Sequence, residues 1–297
     1  MARKGLFTDI MSVMSSNVVA VLSGLAANIM LTRQLGPAGF GLFSAIMVVP
    51  FMIISLVQLG IKASAIYHIG NEKENAQSFV TGIIAIFIIA SLAGMLITGT
   101  TLFLQGREEH TFFIVMVVLF LIPAYLLALF SGGIFLGQEQ IKRANIIRWL
   151  PVVFYMLLVL VLVVLLKMNV LGALLSLLLA YSAISIWAIM ILHKEYSLKP
   201  TFNRQILKRL VGKGIVYAIA FFIIQLNYRI DILILEDLTS STEVGYYSLG
   251  VSIGEVLWQL PLAVGIVLMS RTANTKDQKL MNEVTGRLLR LSFLATI

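Results

Sequence analysis

The sequence predicts an all-α, polytopic transmembrane helix bundle, of the two-lobe kind built from inverted or parallel six-helix repeats, with its second lobe truncated. Three observations lead there. The 297-residue chain is 59% hydrophobic and only 12% charged, with a mean hydropathy of +0.97, whereas soluble domains are nearer one quarter charged. It contains about eight apolar runs that approach the roughly 20 residues needed to cross a bilayer. Finally, 18 of its 22 Lys and Arg residues fall in alternate loops. That asymmetry is the positive-inside pattern and puts the N-terminus in the cytoplasm. The expected location is the inner (cytoplasmic) membrane, crossed many times.

Span 1 is expected at about Ile10 to Thr32, followed by a turn from Arg33 to Gly39 and span 2 at Phe40 to Ile66. The loop His68 to Gln77 is polar. Spans 3 and 4 are expected at Phe79 to Leu104 and Phe112 to Leu136, and the loop Gly137 to Arg148 is basic. Spans 5 and 6, Leu150 to Leu166 and Val170 to Leu192, meet at the tight turn Lys167-Met168-Asn169. The basic residues Arg3 and Lys4 precede a first apolar run too long for a signal peptide, so it reads as a retained span.

Residues 1–193 are therefore expected to form a first six-span lobe, and 194–214 a cytoplasmic amphipathic linker. In the linker Ile206, Leu207, Leu210 and Val211 recur at helical spacing among Arg204, Lys208, Arg209 and Lys213, which suits a helix in the membrane interface. Residues 215–297 would begin a second lobe with span 7 (Ile215 to Leu235), span 8 (Gly245 to Met269) and an incomplete ninth stretch from Leu288. A short repeat supports two lobes. Gly39 to Ser44 reads GFGLFS after span 1, and Glu243 to Ser248 reads EVGYYS after span 7, with Gly41 and Gly245 offset by 204 residues. Transporters are often built from such repeats, with the substrate site at their interface. A full second repeat would bring the total to about twelve spans.

Ionisable groups within spans carry the chemistry, because a charge at the centre of a membrane helix costs about 3 kcal/mol and needs a partner or a wet cavity. The first six spans hold no buried acid. Arg229, Asp231 and Glu255 lie in spans 7 and 8. Arg229 and Asp231 are two residues apart and point to opposite helix faces. Gln225 shares the face of Arg229, and Asn227 that of Asp231. Counting from the intervening loop, Glu255 sits about 6 Å deeper than Arg229 at about 1.5 Å per residue, so the two can pair. Lys62, one turn after Gln58 near the cytoplasmic end of span 2, can meet an anionic headgroup in a cavity, or snorkel. Asn17 and Asn28 share one face of span 1, on a cavity or a helix contact.

Enzyme chemistry is not expected. The chain has no cysteine, and His68, His110 and His193 lack metal-ligand spacing. No phosphate-binding GxxxxGK[ST] loop is present, and the external loops are too short for a catalytic domain. No cofactor, metal or nucleic acid is implied. The net charge of +8 is instead matched by membrane lipids with anionic headgroups.

The stretch Leu31 to Gly70 resembles the opening of oligosaccharide flippases of the polysaccharide transporter family, part of the multidrug/oligosaccharidyl-lipid/polysaccharide exporter superfamily. The resemblance rests on Leu35-Gly36-Pro37, Gly39-Phe40-Gly41 and Leu59-Gly60, and, in the second half, on Asp231, Val244-Gly245-Tyr246-Tyr247 and Leu260-Pro261. It implies two lobes that rock about a central cavity and move a polyprenyl-diphosphate-linked oligosaccharide to the outer leaflet for surface polysaccharide synthesis. Basic cavity residues would hold the diphosphate, and polysaccharide-assembly enzymes would be partners. The cavity candidates are Arg229, Asp231, Glu255, Lys62, Asn28, Gln225 and Asn227. The alternatives are a multidrug/cation antiporter of the same fold, which needs a buried acid that the first lobe lacks, and a truncated protein that does not transport.

Overall fold

The structure is a computed structural model that describes residues 2–105 and 111–254, with side chains from Ser15 onward. Glu255, Trp258, Pro261, the rest of span 8 and the ninth apolar stretch lie outside the described residues, as does the Arg107 loop. Among the described residues there are helices and turns but no strands. Six helical segments among the described residues are long and apolar enough to cross a membrane. Residues up to Gly245 form one compact unit and Tyr246 begins another.

Helix α1, Ala2–Val57, carries the first two spans and breaks only at Gly36, whose φ of 68° and ψ of 176° are not helical. The sequence supplies the reason. Glycine takes a positive φ at no steric cost, and the following Pro37 pushes its predecessor out of the helical region while suiting the first turn of the next helix. Leu59 and Gly60 are both left-handed, with φ of 49° and 61°, and they end the second span earlier than its hydropathy predicts. A separate helix α2, Ile61–Asn71, then takes up Lys62 and His68. After a single 3₁₀ turn come α3, Ala76–Gln105, and α4, Phe112–Gly137.

The basic loop predicted from Gly137 to Arg148 is largely helix. Only residues 138–140 connect α4 to α5, Ile141–Leu158. Hydropathy alone put the start of this span near Leu150, because Lys142, Arg143 and Arg148 dilute the apolar signal. The π-helical turn Val159–Leu165 completes the span. The tight turn stands as predicted, with Lys167 and Asn169 both at positive φ, and leads into α6, Asn169–Glu195.

The linker also differs from expectation. Residues 196–203 are not helical, and the amphipathic segment is the beginning of α7, Arg204–Leu238, which runs on without interruption into span 7. Asn203 caps it, its side chain accepting from the Gln205 and Ile206 amides. The non-helical stretch is pinned to α3: Gln77 and Ser197 exchange two hydrogen bonds of 2.9 and 3.1 Å, and the Thr201 amide donates to the Thr81 carbonyl. A final helix begins at residue 241 and is described to Gly254.

Helix α7 packs on α1, α2 and α3. The first turn of the final helix meets the second span where glycines allow it. A Cβ on Gly41 would overlap the Ser241 carbonyl oxygen and lie 2.7 Å from the Gly245 amide nitrogen, and one on Gly245 would overlap the Pro37 carbonyl. The two glycines of the short sequence repeat are thus each other's neighbours.

The charge asymmetry makes a direct prediction of topology. In this cysteine-free chain, single cysteines at the exposed positions Ser197 and Ser241 should react with an impermeant maleimide from opposite sides of the membrane. Labelling of both from one side would overturn the orientation.

Candidate substrate cavity

Four helices contribute to one cavity of about 470 Å³. Helix α4 lines it with Tyr125, Ala128, Leu129, Gly132 and Leu136, a run of helical spacing along one face. Helix α5 does the same with Ile141, Ala144, Asn145 and Arg148, at i, i+3, i+4 and i+7. Lys62 enters from α2 and Tyr181 from α6. The approach of α2 to α4 is set by Gly133, where a Cβ would come within 2.9 Å of both the Cα and the carbonyl oxygen of Lys62. Any side chain there would push Lys62 away from α4.

Two cations therefore face one space. Arg148 is near enough for its charge to act on Lys62, and no Asp or Glu is among the described lining residues. Like charges held together in a nonpolar setting add mutual repulsion to their desolvation cost, and an anion between them offsets both. Two aromatic rings join the aliphatic wall: Tyr125 and Tyr181 lie 4.8 Å apart between centroids, and Phe51, on the second cavity described below, meets Tyr125 edge-on at 5.6 Å. Such faces suit the apolar side of a sugar ring, and the phenol groups its hydroxyls.

Lys62 and Tyr125 also line a second cavity, of about 330 Å³, together with Gln58, Ser55, Phe221 and Gln225. Of the seven candidates read from the sequence, the fold thus brings together Lys62 and Gln225. Asn28, Asn227, Arg229 and Asp231 line neither cavity. Asn28 offers its backbone carbonyl to the Thr32 hydroxyl, Asn227 is exposed, and Asp231 accepts from the Ile232 amide. Gln225 and Arg229 share a nominal helix face, but four residues of rise separate them and only the deeper one reaches the cavity wall. The expected partner of Arg229, Glu255, is outside the described residues.

Sequence reasoning missed Arg148, Asn145, Tyr125 and Tyr181. The signal for Arg148 was its seven-residue spacing from Ile141, hidden by treating the segment as loop.

A polysaccharide biosynthesis protein family model matches residues 6–268. The chain belongs to that family. A relative is an uncharacterized membrane protein of Methanocaldococcus jannaschii, 24% identical over 264 residues, covering 84% of this chain and 63% of the relative. The chain therefore spans less than two thirds of that relative's length. Among solved structures, it resembles the outward-facing form of a multidrug resistance MATE family transporter of the MOP superfamily, with a TM-score of 0.64 at 17% identity, over 97% of this chain and 66% of the other. It also resembles the MATE multidrug transporter DinF-BH, with a TM-score of 0.67 at 18% identity, over 88% and 63%. A third is a MOP superfamily transporter from Pyrococcus furiosus, described as having a binding pocket of reverse polarity, with a TM-score of 0.59 at 16% identity, over 97% and 66%. These likenesses show that the chain shares the fold of those proteins.

Proposed function

We propose that this protein is a flippase that moves a polyprenyl-diphosphate-linked oligosaccharide across the cytoplasmic membrane by alternating access, with residues 1–193 as its first lobe. The observation that carries this reading is the cavity in which Lys62 and Arg148 converge beside Tyr125 and Tyr181 without an acid among the described lining residues. Two fixed cations match a diphosphate, and the aromatic wall matches the sugar attached to it. The lipid tail stays in the bilayer. The family's link to polysaccharide biosynthesis supports the same substrate class. Asn145, buried on the same wall, is a further hydrogen-bonding group for the headgroup. Cation-coupled drug efflux needs a buried carboxylate, and the cavity offers the opposite charge.

The test is complementation. A strain lacking its own oligosaccharide flippase would express this chain, and lipid-linked oligosaccharide reaching the outer leaflet would be measured. Restoration of flipping supports the proposal. Resistance to cationic dyes without any flipping would replace it with the antiporter reading.

A further inference from the structure

We propose that the second cavity is the subsite for the sugar ring joined to the diphosphate, with the Gln58 and Gln225 carboxamides as the groups that select it. This rests on the flippase reading and adds to it the residues that tell one headgroup from another. The cavity holds about 330 Å³, at the small end of the roughly 300–1,000 Å³ usual for small-molecule sites. That admits a sugar ring but not a whole oligosaccharide.

Two helix faces build it. On α1, Phe51, Ser55 and Gln58 line the cavity at i, i+4 and i+7. On α7, Phe221 and Gln225 are one turn apart, and they continue the face of the buried Gly214 and Ala218 at helical spacing. That face is pressed onto the turn between α1 and α2. A Cβ on Gly60 would fall 2.9 Å from the Gly214 carbonyl carbon and 3.0 Å from the Ala218 amide nitrogen. Close backbone contact thus carries Gln225 to the cavity wall, while the same helix leaves Asn227 exposed. Lys62, Tyr125 and Leu129 line both cavities, so a diphosphate held between Lys62 and Arg148 lies next to this space.

The lining chemistry selects the ligand. Among the described lining residues there is no Asp or Glu, and Lys62 is the one cation. The other polar groups are neutral. Ser55 gives its hydroxyl proton to the Met52 carbonyl, 2.6 Å away, which leaves its oxygen as an acceptor. The Gln58 Nε2 makes only a long 3.4 Å contact with the Ser55 carbonyl. Among the described residues, the Gln225 side chain has no hydrogen-bond partner. A carboxamide both donates and accepts, as a sugar hydroxyl does. The rings of Phe51, Tyr125 and Phe221 supply apolar faces for the C–H side of a pyranose. An isoprenoid tail is the competing occupant, but it makes no hydrogen bonds, and covering two carboxamides with hydrocarbon forfeits their hydration. A sugar that bridges Gln58 and Gln225 ties α1 to α7, so the headgroup is read where the first six spans meet span 7.

The test measures binding to the full chain in lipid nanodiscs, with farnesyl diphosphate and its glucose, galactose and N-acetylglucosamine conjugates as probes. At least one conjugate should bind about tenfold more tightly than farnesyl diphosphate, as expected of one or two added hydrogen bonds. In Gln58→Leu and in Gln225→Leu that ratio should shrink several-fold, and in the double variant it should approach unity. If one single variant fails to give a monodisperse protein, the other decides. A ratio near unity in the parent, or an undiminished ratio in the variants, overturns the subsite. Tighter binding of farnesyl diphosphate itself in the variants assigns the cavity to the isoprenoid tail and also overturns it. Failure of every probe to bind overturns the flippase reading as well, whereas diphosphate binding without a sugar preference leaves that reading standing.

Discussion

Replacing Lys62 or Arg148 by alanine should each lower flipping of a diphosphate-linked oligosaccharide by about 10- to 100-fold, and the double replacement by less than the product of the two. Both side chains line one cavity and would engage one anion. A hydrogen bond to a charged group contributes about 1.5–3 kcal/mol, and each 1.4 kcal/mol or so is tenfold in affinity. Groups sharing a ligand are coupled, so removing the second after the first costs less than removing it alone. Removing one cation also relieves repulsion on the other, in the same direction. Lys62→Glu should be worse than Lys62→Ala, because it places a carboxylate beside the diphosphate. Lys62→Arg should retain most of the activity. Transport by these variants, at matched membrane levels, checks the prediction. Full activity in Lys62→Ala together with Arg148→Ala would remove the cavity from the transport path.

Gly41→Leu should abolish the yield of folded protein, and Gly245→Leu should do the same. Inserting atoms into a packed interior costs about 1–3 kcal/mol when neighbouring side chains can give way. Here the obstacles are the Ser241 carbonyl and the Gly245 amide, which are backbone atoms of a helix start, so the cost lies above that range. A folded domain commands only about 5–15 kcal/mol in total. Gly212 is the control: it is on α7 with nothing within 4 Å of where its Cβ would be, so Gly212→Ala should fold normally and gain a little helix propensity, about 1 kcal/mol at most. Monodisperse yield and melting temperature in detergent separate the cases. An unchanged melting temperature in Gly41→Leu would show that the two helices do not meet as described.

Features that depend on neighbours along the chain were legible before any folding was considered. Long apolar runs can only satisfy their backbone in a bilayer as helices, so α3, α4 and α6 begin and end close to the limits hydropathy implies. Gly36-Pro37 and Lys167-Met168-Asn169 are breaks for local steric reasons, and both could be read directly. Where charge and helix coincide, hydropathy misled: α5 begins nine residues before Leu150, and the amphipathic start of α7 belongs to the span that follows it. The cavity was hardly legible at all. Lys62, Tyr125, Arg148 and Tyr181 come from four helices, and each taken alone looks like a snorkelling cation or a packing aromatic. They share one space because of the close approach at Gly133 and the helical register of α4 and α5. The same holds for His68, an edge histidine in sequence: Glu72 is one turn away at the end of its own helix, but the Arg209 carbonyl reaches its Nε2 only because α7 folds back onto α2. Local propensity sets which segments are helices; which side chains face each other is set by backbone contact between segments far apart in the chain, and no local pattern records it.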